Sequence, residues 1–265
     1  MPRWDGWRPE PNVLSALLVD LRLEPQVLLI CLLAVFGAGL VRGFAGFALS
    51  ALAMASIATI IPPVELIPIC FFMELAASLL LLGGNVREAD REVVVGLVVS
   101  AAAGVPLGLY ATNNVDAETS KAVALVVVAS LALLQLAKVK APVLATRGGL
   151  WASGFASGIV TGLASVGGLV VALYVLARDA PPRQMRASLI LYLFLSSPVG
   201  FALQIAYGMI TPTALWRASL FTVFSTAGVL IGRRFFSPAL EPFYKRFCLG
   251  LLVGLALWGL VRVLL

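Results

Sequence analysis

Two short tracts hold the residue types best able to do chemistry: R-G-F-A-G-F (Arg42 to Phe47) and S-V-G-G (Ser165 to Gly168). Each interrupts an apolar stretch. A helix broken inside a membrane leaves backbone N–H groups unpaired and a positive dipole end exposed. Such backbone is tolerated only where protein or a water-filled cavity surrounds it. Helices restarting near Phe47 and Gly168 would point their N-termini at a common central point. N–H groups of Gly43, Gly46, Phe47, Gly167 and Gly168 could then hold an anion with no charged side chain. Close helix packing through small residues is the competing reading, and it suits Gly39 and Gly158 best.

Two ionisable residues matter beside these breaks. Arg42 needs water, a carboxylate or an anionic ligand, because a guanidinium at the bilayer centre costs at least about 2.5–3.5 kcal/mol. It reads equally as a cytoplasmic charge at a hairpin tip. Glu74 is the one acid deep within an apolar run, so it is the candidate proton-coupling residue; a structural ion pair with Arg42 is the alternative. Ser165, Thr161, Tyr174, Ser196, Ser197 and Gln204 are further donors available to an oxyanion. Hydroxyls of Ser and Thr also commonly bond back to their own helix.

Much other chemistry is absent from the sequence. There is no histidine, which removes His-based metal sites and Ser-His triads. Cys31, Cys70 and Cys248 stand singly in apolar runs with no metal-ligand spacing. No G-x-x-x-x-G-K-[ST] occurs, so direct ATP coupling has no support. Neither a cofactor nor an enzymatic activity is expected.

The elements that must position these residues belong in a bilayer. Of 265 residues, 61% are hydrophobic and only 12% charged, and the mean hydropathy is +1.02. Soluble domains carry about twice that charge fraction. The net charge of +6 is explained by cytoplasmic loops rather than by nucleic acid. Residues 1–12 do not read as a signal peptide, and residues 13–23 suit a short interfacial helix.

Apolar segments run over 26–41, 47–61, 66–82, 93–111, 120–137, 149–164, 168–177, 187–207, 214–232 and 246–265. Six are long enough to span. The segments 26–41, 47–61, 149–164 and 168–177 fall short and form two pairs, each joined by one of the breaks. A shift of 119 residues superposes the breaks. Gly39, Gly43 and Pro62–Pro63 then meet Gly158, Gly162 and Pro181–Pro182. Further along, a shift of 124 brings Gly104 and Gly108 onto Gly228 and Gly232. The chain therefore divides into an N-terminal segment (1–25), a first repeat (26–137), a linker (138–148) and a second repeat (149–265). If each short pair is a hairpin, 13 of the 19 Lys and Arg residues fall on one side. If each pair is one broken span, the split is 10 to 8 with Arg42 set aside. The positive-inside rule selects the hairpins, inverts the repeats and puts the linker in the cytoplasm.

The run R-G-F-A-G-F-A-x-x-A-L-A-M, then P-P-V-E and ICFFMELAASLLLL, resembles the first half of the TauE/SafE sulfite and organosulfonate exporter family, also called the toluene-sulfonate uptake permease family. G-x-x-x-G-x-x-S-V-G-G-x-x-x-x-x-Y-x-L, followed by a Pro pair and M-R-A-S, is similar to its second repeat. The resemblance covers residues 26–265 and implies Gly43, Gly46, Phe47, Gly167, Gly168 and Arg186 as positions of interest. Ala48 stands where the family has a third glycine, and Leu169 where a proline often follows Gly-Gly.

The expectation is an all-α integral membrane protein. Two inverted repeats each comprise a short broken or re-entrant helical hairpin followed by three transmembrane helices. The expected function is secondary transport of a small sulfur oxyanion across the bacterial inner membrane by alternating access, with both termini periplasmic. An anion channel and a non-transporting scaffold are the alternatives. Expected partners are the anionic substrate and the lipid bilayer, with H+ as candidate coupling ion and a homodimer as candidate assembly. The expected binding residues are Arg42, Gly43, Gly46, Phe47, Ser165, Gly167, Gly168, Tyr174 and Arg186.

Overall fold

The computed structural model describes residues 21, 23–83, 87–137, 142–178, 181–235 and 241–265. Most of the expected interfacial helix, Gly84, and Lys138 and Lys140 of the linker lie outside the described residues.

Among the described residues ten α-helices follow one another: α1 (Pro25–Ala45), α2 (Leu49–Ile57), α3 (Pro63–Leu82), α4 (Arg91–Asn114), α5 (Ala117–Leu136), α6 (Arg147–Ala164), α7 (Gly167–Ala177), α8 (Pro182–Ala206), α9 (Pro212–Gly232) and α10 (Glu241–Leu264). No strand occurs among the described residues. Starts are set locally. Pro25, Pro63, Pro182 and Pro212 open helices, where a missing N–H is harmless. Asp90, Asp116, Thr146 and Thr211 cap α4, α5, α6 and α9 with side-chain oxygens.

Seven helices are long and apolar enough to cross a membrane. They include the six expected spans and also α1. The expected first segment stopped at residue 41 because Arg42 looked like a boundary. In fact the helix continues through Arg42 to Ala45, giving 21 residues, or about 31 Å at 1.5 Å per residue. It can do so because the guanidinium is buried and paired rather than solvated. Helices α2 and α7, with 9 and 11 residues, are short as expected. Helix α6 has 18 residues but is rich in Gly and Ser, and it is not among the seven.

Packing runs between the halves. The two most extensive crossings are α4 on α6 and α1 on α9. Both are glycine seams. A Cβ on Gly39 or Gly228 would strike the backbone of the opposite helix at Ser225 or Phe36, and one on Gly158 or Gly104 would strike Ala101 or Phe155. Backbones that approach this closely gain dispersion contacts, the main cohesive force where lipid is as apolar as the side chains. Exchange of α1–α5 for α6–α10 maps the larger crossings onto one another. The α1–α9 contact becomes α6–α4, α3–α9 becomes α8–α4, and α3–α8 and α5–α10 map onto themselves. The glycines that do this work are the ones matched by the 119- and 124-residue shifts.

Candidate functional site

The first break is closed by its own charges. Gly46 ends α1 in the left-handed region (φ +81°), and Ala48 precedes α2 at φ +74°. Ser50, in the first turn of α2, donates from its backbone N–H (3.1 Å) and its Oγ (2.8 Å) to Oε1 of Glu74 on α3. The Glu74 carboxylate therefore caps the positive end of α2. Its Oε2 lies 3.2 Å from Nε of Arg42, an ion pair whose N–H does not point squarely at the oxygen. Arg42 is wholly buried. Its Nη1 donates to the Gly46 carbonyl, and its Nη2 donates to Ser78 Oγ at 2.9 Å. Arg42 is thus no solvated topology charge at a hairpin tip. Of the two readings open for it, the partnered one fits.

Arg186, early in α8, ties the second half to this break. Its Nη2 donates to the Gly43 carbonyl at 2.7 Å. Its Cγ passes so near Gly46 that a Cβ there would lie 2.6 Å away. Gly43 itself packs against the backbone of α9, where a Cβ would lie 2.5 Å from the Val229 carbonyl oxygen. Phe47 is buried in the core beside the break.

The second break has the same shape and different chemistry. Ser165 ends α6 at φ +56°, and its N–H bonds Thr161 O at 2.8 Å. Helix α7 starts at Gly167, and among the described residues no side-chain cap bond is seen there. Ser157 Oγ donates to Gly167 O (2.8 Å) and meets Tyr192 Oη at 2.7 Å, while Thr161 Oγ1 donates to Ser157 O at 2.7 Å. Gly167 is sterically required, since a Cβ would lie 2.5 Å from Ser157 O. At Gly168 a Cβ would meet only the Leu193 side chain, at 3.4 Å.

A cavity lies against the α7 N-terminus, with Thr161, Ser165, Gly167 and Gly168 along one side. Helix α8 adds Tyr192, Ser196, Ser197 and Gln204; α3 and α2 add Glu74 and Ser50. Gln204 is 4% exposed, and its Oε1 has no hydrogen-bond partner among the described residues. The other walls are apolar: Val98 and Val105 from α4, and Phe71, which stacks on Phe201 of α8 with centroids 5.2 Å apart. The space open to the centres of water-sized spheres is about 60 Å³. At about 10–15 Å³ per water on that measure, the cavity holds a few waters or one small oxyanion.

The 119-residue correspondence shows how the two breaks differ. Arg42 maps to Thr161, Glu74 to Leu193, and Ser78 to Ser197. The buried Arg–Glu pair is replaced by a hydroxyl and a leucine. The first helix start is filled by the protein's own carboxylate, and the second opens on a cavity with a few polar groups set among apolar walls.

The expected site residues are thus partly united. Arg42, Gly43, Gly46, Phe47 and Arg186 gather at the first break, and Ser165, Gly167 and Gly168 at the cavity, with Glu74 reaching both. Tyr174 is buried within α7 and does not line the cavity. Ser50, Ser78, Ser157 and Tyr192 were not anticipated. Only Ser78 had a usable signal, its match to Ser197.

Among the described residues, seven apolar spans and two helix breaks beside a largely apolar cavity with a few polar groups define a multi-pass membrane protein of transporter type. Residues 31–258 match the sulfite exporter TauE/SafE family, and the chain belongs to that family. Membership implies a membrane exporter of small anions working in a lipid bilayer. No curated protein and no solved structure matches the chain.

Proposed function

We propose that this protein is a secondary transporter moving a small sulfur oxyanion, sulfite or a short organosulfonate, across the bacterial inner membrane by alternating access. The observation that carries the proposal is the uncapped α7 N-terminus facing the cavity. The N–H groups of Gly167 and Gly168, the Ser165 hydroxyl and the Gln204 amide N–H groups supply donors to an oxyanion there, while the hydroxyls of Thr161 and Ser196 already donate to Ser157 O and Leu193 O. The narrow space favours an anion of few heavy atoms.

Two inverted repeats, 26–137 and 149–265, supply the alternation. The exchange symmetry of the helix packing and the paired glycine seams support that arrangement. Basic residues at 87, 91, 178, 183 and 186 support a cytoplasmic position for the α3–α4 and α7–α8 loops and periplasmic termini. Transport rather than catalysis is the chemistry that fits this site.

Glu74 is the proposed proton-coupling group. It faces Arg42 from α1, Cys70 one turn back on α3 and Tyr192 across the cavity on α8. Proteoliposomes loaded with sulfite test both parts. Saturable, exchange-stimulated flux that depends on a pH gradient is expected. Glu74→Gln is expected to retain exchange and lose the gradient dependence. Flux that is neither saturable nor exchange-stimulated would point to a channel, and unchanged pH dependence in Glu74→Gln would remove Glu74 from its role.

A further inference from the structure

We infer that the start of α2 is a second anion site, held shut by the carboxylate of Glu74 acting as a tethered anion. The inference goes beyond the α7 site and takes from that reading only that anions enter the cavity.

The carboxylate has the surroundings of a bound ligand. Oε1 accepts from the Ser50 N–H at 3.1 Å and from Ser50 Oγ at 2.8 Å. Oε2 faces the Arg42 guanidinium at 3.2 Å. Two oxygens on one centre thus meet a helix start, a hydroxyl and a buried cation, an arrangement that any small oxyanion reproduces. The site needs a negative charge. Arg42 is 0% exposed, and the α2 dipole adds partial positive charge at the same point. Water can fill the space but cannot neutralise it. One N–H of Nη1 serves Gly46 O and one of Nη2 serves Ser78 Oγ, while Nε, without a hydrogen-bond partner among the described residues, faces the carboxylate. Access is also present, since Ser50 and Glu74 both line the cavity that the α7 N-terminus faces.

A side chain already seated beside its site has little freedom left to lose, so it competes at an effective concentration far above that of any free anion. An oxyanion in the cavity must displace Glu74 to reach Arg42, and the α7 site imposes no such competition. The chemical class is a small oxyanion with two oxygens free on one face, such as formate, bicarbonate or sulfite. The second half has no equivalent device, because Leu193 stands where Glu74 would.

The test is removal of the tether. Purified Glu74→Ala is expected to bind one more sulfite per chain than the wild type by titration calorimetry. It should also gain several degrees in Tm from millimolar formate, which leaves the wild type unmoved. Arg42→Leu combined with Glu74→Ala is expected to lose both effects. Should Glu74→Ala fold poorly, formate is expected to restore its yield. Failure of both formate and sulfite to stabilise or recover Glu74→Ala overturns the proposal, as does rescue that persists without Arg42. Absence of sulfite binding to the wild type, with formate rescue of Glu74→Ala intact, would fault the α7 site alone.

Discussion

Arg42→Leu removes one member of a pair that is otherwise fully enclosed. Arg42 has no contact with solvent, and the Glu74 side chain is 12% exposed. Removing one partner of a buried pair costs about 3–5 kcal/mol, because the other is left charged without compensation. The same substitution strips donors from Gly46 O and Ser78 Oγ. Glu74→Leu is expected to cost a similar amount and to uncap α2 as well. The double variant Arg42→Leu/Glu74→Leu behaves differently, since apolar replacement of a buried pair is often neutral or better. The lost cap, worth about 1 kcal/mol, and the donors missing at Gly46 O and Ser78 Oγ remain. The two single losses should therefore exceed the double loss, with a coupling of at least about 3 kcal/mol. Reversible denaturant unfolding in detergent micelles, run as a double-mutant cycle, measures this directly. Single variants costing under about 1 kcal/mol each, with additive effects, would refute the enclosed-pair reasoning.

Three further outcomes follow from the same geometry. Ala48 holds a left-handed backbone (φ +74°) that costs a non-glycine residue about 1–2 kcal/mol, so Ala48→Gly is expected to raise stability by about 1 kcal/mol in the same unfolding assay. A loss would show the conformation to be unstrained. Gly167→Ala is expected to destabilise by about 1–3 kcal/mol, its Cβ landing 2.5 Å from Ser157 O, whereas Gly168→Ala has ordinary contacts and should stay within about 0.5 kcal/mol of wild type; thermal unfolding separates them. Glu65→Gln removes the charge paired with the buried Arg217 but keeps an oxygen that can accept its hydrogen bond, the Glu65 side chain is 45% exposed, and Arg217 keeps its bond to Leu21 O. A loss of no more than about 1 kcal/mol is expected there, against several for Glu74, and equal losses would contradict the burial argument.

The helix inventory was legible because membrane helices announce themselves by length and apolarity. The glycine correspondences between halves anticipated which helix faces would touch, since only Gly permits the approach made at Gly39, Gly104, Gly158 and Gly228. The end of α1 was misjudged for a physical reason. A charge inside an apolar run reads as a boundary unless its partner is known, and the partner, Glu74, lies 32 residues away on another helix. The cavity was half legible. Ser165, Gly167 and Gly168 follow from the break itself, whereas Ser50 and Tyr192 look like ordinary core residues until α3 and α8 cross beside them. Tyr174 was an attractive donor by type but is buried and does not line the cavity.

The central claim is that an oxyanion is carried through the cavity at the α7 N-terminus. Counterflow of radiolabelled sulfite in proteoliposomes tests it most directly, comparing wild type with Gly168→Leu, which fills the cavity, and Gly250→Leu, whose Cβ meets nothing within 4 Å. The account predicts saturable counterflow in wild type and Gly250→Leu, and its loss in Gly168→Leu with the fold retained. Undiminished counterflow in Gly168→Leu would contradict it.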